Sequence, residues 1–517
     1  MAKKDTSHYI SAKESRRISR ENNRTVRRLE KQKRRRNVPE SEYLTTMRDP
    51  KNLVEFDDLH TYFFTDAGVV KAVNGVSFDI PEHSIVGVVG ESGCGKSITS
   101  MSLMQLVQAP QGQIVSGSIR FRSDHRTQVG TEPMTETVTD ADGTVREVPK
   151  LDKHGKPRTR HVYQHEERAV DIAKLPISEM QHIRGREISM IFQEPMTSLN
   201  PVFTIGYQLD EVTLLHTPGA TKEDARERSL EMLKLVGIAM PERVYASYPH
   251  ELSGGMRQRV MIAIAIACNP RLIIADEPTT ALDVTIQAQV LNLLRELKQK
   301  LNSSILLITH DLGVICEMAD YVVVMYAGRI VEKGTMREIF KEPAHPYTIG
   351  LHKSKPNVRE DVDRLFSIPG QVPNPINMPT TCYFHDRCDR CCVQCAGEYP
   401  EMVQLSPTHF VACHRAREIY EEMKHAEGRN GKRRVPKREK AQTNVTENGE
   451  RKPRMSGKTA ARRVGSALCG AGKWVKTGAL RAVCFTYLVG KELTKKKTVT
   501  DGATEADTEK REAEKNG

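Results

Sequence analysis

The stretch Gly90-Glu91-Ser92-Gly93-Cys94-Gly95-Lys96-Ser97 constrains this chain more than any other part of it. It fits G-x-x-x-x-G-K-[ST] at each fixed position. Its flanks fit as well: Ser84 to Val89 reads as a buried strand, and Ile98 to Val107 as a helix whose apolar set is Met101, Leu103, Met104, Leu106 and Val107. A strand, a glycine loop and a helix in that order make a cradle for phosphate. The glycines let successive N–H groups turn inward, and the helix adds its positive end. In such a cradle Lys96 reaches the β- and γ-phosphates of a nucleotide, and the Ser97 hydroxyl binds Mg²⁺. Gly90, Ser92, Gly93, Cys94 and Gly95 build the loop itself, with Cys94 at a variable position and no role of its own.

Buried strands and helices then alternate. Glu187 to Phe192 is a strand ending at Gln193, Arg271 to Ala275 delivers Asp276 and Glu277, and Ser304 to Ile308 delivers His310. That alternation indicates an α/β domain with a mainly parallel sheet. Ligands gather at the carboxyl ends of such strands, where Ser97, Gln193, Asp276 and His310 all fall. Asp276, after an apolar run, suits a Walker-B aspartate that shares Mg²⁺ with Ser97. Glu277, one residue on, points elsewhere and suits a general base facing water. The Gln193 amide can touch metal and water, and His310 can contact a γ-phosphate. Ahead of the loop, apolar and aromatic residues alternate over 53–64 and 69–80 around Asp66-Ala67-Gly68, the pattern of an antiparallel β subdomain. Tyr62, Phe63 and Phe64 lie there; such a trio packs in a core or offers one ring to a base. Residues 199–268 are helix-rich, and Tyr321 to Met325 and Arg329 to Glu332 form a closing hairpin.

Charge is unevenly spread along the 517 residues. Residues 1–37 hold 14 Lys/Arg against 4 Asp/Glu, and residues 415–517 hold 26 against 14. Those ends carry net +10 and +12 of a total of +12, so residues 38–414 are acidic at −10. Basic ends favour anionic surfaces or stay solvated. The arm over 1–50, helical in part, and the tail over 417–517 are therefore expected to be largely disordered without a partner, and the polar stretch over 122–168 to be a mobile insertion. Within the tail, 464–490 mixes apolar residues with Lys473, Lys476 and Arg481 around the single Trp474. It reads as an amphipathic surface segment or as a weakly folded tail, because its glycines oppose a helix. No run of 18 apolar residues occurs, and the N-terminus lacks the apolar core of a secretory signal. The expectation is a cytoplasmic protein, in which 11 cysteines argue against disulfides and any cluster of them points to metal or redox chemistry.

Leu252-Ser253-Gly254-Gly255 resembles the signature of the ATP-binding-cassette family, and Ala281-Leu282-Asp283 and Thr309-His310 follow it in the family's order. The resemblance implies that the signature grips ATP held by another subunit. One loop and one signature per chain then require a pair with a second copy or a homologous ATPase, with Asp283 in the loop between them. Glu194 to Pro201, Met256-Arg257-Gln258-Arg259-Val260, His345-Pro346-Tyr347-Thr348 and Ile368 to Pro373 narrow the resemblance to the ATPases of oligopeptide and dipeptide importers, over about residues 51–415. It implies a cassette over 51–337 and a C-terminal extension over 338–416. It also implies a base-stacking aromatic at Phe63 or Tyr62, two permeases, an extracytoplasmic peptide-binding protein, and a peripheral position on the cytoplasmic face of the membrane. Cys382, Cys388, Cys395 and Cys413 follow the cysteine pattern of that extension, which in the family is reported to carry an iron–sulfur cluster. Spacing alone does not choose among a [4Fe–4S] cluster, zinc and reduced thiols. Nickel or another solute is an alternative cargo. A soluble ATPase acting on nucleic acid or ribosomes is disfavoured, since such proteins usually carry two cassettes in one chain, and no nucleic acid is expected.

Overall fold

A computed structural model describes residues 11–430 apart from 36, 134, 140–144, 150–154, 156, 158, 281, 355–365 and 377. The candidate amphipathic segment over 464–490 and Ala281 lie outside the described residues.

Two sheets share one core. The larger has eight strands, and its parallel part runs Tyr321–Tyr326, Ile85–Val89, Ser304–Thr309, Leu272–Asp276, Ile188–Ile191 across the sheet. These strands read as continuous Val/Ile/Leu runs because both faces are covered. Their side chains alternate accordingly. Ile85, Val89, Ile273, Ile305 and Leu307 face one apolar cluster with the helices Gly254–Ile266 and Val284–Leu301. Val86, Val88, Ile274, Leu306 and Ile308 face another with Phe56, Phe78 and Phe121 of the second sheet. Each fully buried side chain of this size contributes roughly 1.5–3 kcal/mol. The second sheet is antiparallel and contains the hairpin Asn52–Thr65 and Gly68–Pro81.

Parts of the arm, the insertion and the tail are ordered. Ala12–Lys33 of the arm is a helix, N-capped by Ser11. Ile18, Asn22, Val26 and Leu29 recur at helical spacing; Val26 is buried, and Asn22 donates to the Thr65 carbonyl at 2.8 Å. The Arg-rich composition masked that stripe. The polar insertion is largely a ribbon, in which Gly112–Pro133 pairs with Thr159–Asp171. Its root is apolar, with Phe121 and Val170 buried, and its charges are paired: Asp124 with His165 at 2.8 Å, and Arg271 with Glu82 at 2.7 Å and Glu167 at 2.9 Å. The strand runs through Val170, and the helix Ile177–Ile183 follows after Pro176. At the other end Ala416–Asn430 is helical, with Ile419 and Tyr420 buried.

The residues after 336 build onto the cassette. Strands Val403–Gln404 and Phe410–Val411 lengthen the large sheet beyond Arg329–Thr335. Their anchor is a fully buried pair, His409 Nε2 to Glu332 at 2.8 Å. The Glu332 carboxylate also accepts from the backbone N–H groups of Ala344 and His345. A buried carboxylate is tolerable only when its oxygens are satisfied in this way.

Candidate active site: a phosphate loop facing three converging side chains

The loop Gly90 to Gly95 leaves the strand Ile85–Val89 and enters the helix Lys96–Leu103, a shorter helix than the pattern to Val107 predicts. Gly95 needs to be glycine: its φ is +99°, and a Cβ would sit 2.2 Å from the Ala72 carbonyl oxygen. Lys96 is buried, and its ammonium donates to the carbonyls of Gly90 at 2.8 Å and Glu91 at 3.0 Å. Ser97 Oγ donates to Asp276 Oδ1 at 3.0 Å. Burial raises the Asp276 carboxyl above its usual range, the Ser97 hydrogen bond opposes the shift, and Glu277 adds to it. A buried carboxylate beside a hydroxyl, both hard oxygen donors, fits Mg²⁺, which completes its shell with water and phosphate oxygens.

Glu277 is the focus of the second half of the site. Its Oε2 accepts from Gln193 Nε2 at 3.0 Å and Thr280 Oγ1 at 2.9 Å, and lies 3.2 Å from His310 Nδ1. Three strand ends thus converge on one oxygen. The Glu277 backbone is left-handed, with φ +47°, a conformation that costs a non-glycine residue of order 1 kcal/mol or more. Its N–H donates to the Ile308 carbonyl at 2.8 Å, which holds it there. Asp276 and Glu277 accordingly face different neighbours, as adjacency suggested.

The signature lies apart from these groups. Leu252 is buried, whereas Ser253 and Gly254 are exposed at the start of the helix Gly254–Ile266, where Ser253 is the N-cap. A Cβ at Gly254 would meet nothing within 4 Å, and at Gly255 only Ile286. The helix end therefore presents its N–H groups outward, as an anion site must. Within the chain, Gln258 of that helix donates to the Pro278 carbonyl at 2.8 Å, tying it to the strand end that carries Glu277. Asp283 caps the helix Val284–Leu301 through the N–H groups of Thr285 and Ile286, both at 3.0 Å. Phe63 and Tyr62 point to opposite faces. The Phe63 ring lies beside Gly112, where a Cβ would come within 2.8 Å of it. The Tyr62 hydroxyl lies 2.9 Å from the Asn74 amide, which also meets Tyr383 of the extension at 3.2 Å.

The cysteines gather without closing around a point. Cys392 and Cys395 have sulfurs 3.5 Å apart, so Cys395 meets a thiol outside the four expected ligands. Cys382 and Cys388 pack on the main core, and Cys413 on the separate cluster of Val411 and Tyr420. Burial pushes the Cys388 thiol up to about 11 and those of Cys395 and Cys413 to about 12, which keeps them protonated at neutral pH. Among the described residues no three His, Cys, Asp or Glu side chains are placed to hold a metal ion. The expected four-cysteine ligand set does not fit as placed.

Two residues touching the loop were missed. Tyr347 accepts the Glu91 N–H at 2.8 Å, and Arg387 grips the Glu91 carboxylate at 2.7 and 3.0 Å. Tyr347 carried a signal, since it lies in His345-Pro346-Tyr347-Thr348. Arg387 carried none beyond its position between Cys382 and Cys388.

A phosphate loop, a buried aspartate, a carboxylate on the next residue and an outward signature define an ABC-type ATPase. Residues 73–280 match the ABC transporter family, and residues 331–395 match the C-terminal region of oligopeptide/dipeptide transporters. The oligopeptide transport ATP-binding protein AppD of Bacillus subtilis is 46% identical over 72% of this chain and 97% of its own length. The dipeptide transport ATP-binding protein DppD of Lactococcus lactis is 43% identical over 70% of this chain and 90% of its own. A bacterial ABC transporter cassette solved as a dimer is 23% identical over 55% of this chain and 99% of that one, with a TM-score of 0.41. The chain belongs to the ATP-binding subunits of the oligopeptide/dipeptide ABC transporter family. It is an ATP hydrolase of that class, and no described helix is long and apolar enough to cross a membrane.

Proposed function

We propose that this chain energises the uptake of oligopeptides or dipeptides, as a peripheral subunit on the cytoplasmic face of the membrane. Its partners in this reading are a second, homologous ATPase or a second copy, two permeases and an extracytoplasmic binding protein. The observation that carries the reading is the convergence of Gln193, Thr280 and His310 on Glu277, opposite the phosphate loop, in a chain that also bears the peptide-transporter extension. Lys96 leaves the Gly90 and Glu91 carbonyls for the β- and γ-phosphates, and Phe63 or Tyr62 stacks on the base. Ser97, Asp276 and Gln193 would hold Mg²⁺, which when bound neutralises charge on the phosphate oxygens. Glu277 accepts the proton of the attacking water as its oxygen bonds to the γ-phosphorus; the bond to the β-phosphate oxygen breaks, leaving ADP and phosphate. His310 contacts the γ-phosphate. Ser253, Gly254 and Gly255 of the partner cover the same nucleotide, and Asp283 lies along the shared seam.

Met196, Val202, Phe203 and Tyr207 are exposed near the glutamine at 193, with the Phe203 and Tyr207 rings stacked at 4.6 Å. An apolar patch of this kind suits a permease contact that carries closure into the membrane. The test is peptide uptake by proteoliposomes holding the permeases, the binding protein and this ATPase. ATP-dependent accumulation of peptide supports the proposal; accumulation of nickel or another solute, and not of peptide, rejects the cargo. Anaerobic purification followed by iron, sulfide and zinc analysis tests the cysteine module. Stoichiometric metal would require the thiols to turn from where they stand.

A further inference from the structure

The phosphate loop contains one carboxylate, Glu91, at its second position. A carboxylate beside a site for a triphosphate is an electrostatic liability, because like charges a few ångströms apart repel strongly where water is scarce. The extension answers it. The Arg387 guanidinium forms a two-pronged pair with Glu91, at 2.7 Å from Nη1 to Oε2 and 3.0 Å from Nη2 to Oε1. The Arg387 side chain is only 5% exposed. Its aim is set by further contacts: Nε donates to the Pro369 carbonyl at 2.9 Å and Nη1 to the Tyr326 hydroxyl at 3.3 Å. The rings of Tyr326 and Phe384 flank it at 5.7 and 5.9 Å. Tyr347, fully buried, accepts the Glu91 N–H.

Glu91 is held by four groups: Arg387 on its carboxylate, Tyr347 on its N–H, and Lys96 and the Cys94 N–H on its carbonyl. A phosphate that draws Lys96 away leaves the loop's own Cys94 N–H at 3.4 Å and the two groups from the extension. We propose that Arg387 is a positioning residue for nucleotide binding, which neutralises Glu91 and fixes it so that the loop can accept a polyanion. The extension then serves the ATP site directly, across 296 residues of sequence. The inference rests on the reading of Gly90 to Ser97 as the nucleotide site.

The experiment measures Mg–ATP binding to the full chain by calorimetry, at low and high salt, for wild type, Lys96→Ala, Arg387→Ala, Arg387→Lys, and each Arg387 variant combined with Glu91→Gln. Wild type should bind and Lys96→Ala should not; failure of wild type to bind would sink the site itself, a result distinct from those below. Arg387→Ala should weaken binding by about tenfold or more, with the deficit shrinking as salt rises. Arg387→Lys keeps the charge and loses the fork, so it should fall between, and it serves if the alanine variant does not fold. Removing the stranded carboxylate with Glu91→Gln should recover most of the lost affinity in both backgrounds. A merely structural arginine would show no such recovery. Wild-type affinity in the Arg387 variants, or weakened affinity that Glu91→Gln does not recover, overturns the proposal.

Discussion

Replacing Glu277 by glutamine separates the chemical role of this side chain from its structural one. The carboxylate Oε2 accepts from Gln193 and Thr280 at 3.0 and 2.9 Å and meets His310 at 3.2 Å. Glutamine has the same length and places a carbonyl oxygen where that oxygen was, so the Gln193 and Thr280 bonds survive. The same oxygen still accepts from the His310 ring when Nδ1 carries the proton. The left-handed backbone at φ +47° is unchanged. Stability should therefore move by about 1 kcal/mol or less. What glutamine cannot do is take a proton from water. Loss of a general base costs about 10²–10⁴ in rate, which is roughly 3–5.5 kcal/mol on the barrier. Because the phosphate loop is untouched, ATP affinity should hold, and the closed pair should accumulate with ATP trapped inside. Single-turnover hydrolysis by the assembled ATPase pair reads the rate, and nucleotide retention after gel filtration reads the trap. Turnover within about threefold of wild type would show that Glu277 is not the base.

Three other outcomes can be checked. Gly95→Ala should abolish nucleotide binding while leaving the fold, since the added Cβ would lie 2.2 Å from the Ala72 oxygen at a φ of +99° and must displace the loop; circular dichroism with ATP titration distinguishes this from global unfolding. Burial holds His345 down to about 4 from its usual 6.5, with Glu332 opposing the shift. The unfolded chain then binds the extra proton first, so stability falls as pH drops from about 6.5 to about 4, by up to roughly 3 kcal/mol. Urea unfolding at pH 7 and 5 should show the loss, and His345→Asn, which keeps an acceptor for the Tyr347 N–H, should flatten it. Val202→Asp with Phe203→Ser should leave ATP binding intact and remove co-purification with the permeases; retained co-purification would place the permease contact elsewhere.

What the sequence made legible divides along a physical line. Local order survives in sequence. The apolar run before Asp276 and the glycines around Lys96 each record a backbone geometry within a few residues. The parallel sheet was legible for the same reason, because strands buried on both faces cannot be anything but apolar. The packing of the arm helix and the pairing of the ribbon were illegible because their stabilising partners lie elsewhere. Asn22 finds Thr65, and Arg271 finds Glu82 and Glu167, so charge and polarity that imply solvent in isolation become paired in three dimensions. The cysteine module was illegible in a third way: spacing leaves a cluster, zinc and reduced thiols all open, and does not reveal that Cys382 and Cys413 pack on separate clusters. Arg387 shows the limit most sharply. Its partner Glu91 is 296 residues away, and neither residue type nor neighbourhood announces the pair. The phosphate loop can be read as a motif because its chemistry is local. The support that neutralises it belongs to the tertiary fold, and an extension that looks like an appendage in sequence stands at the nucleotide site in space.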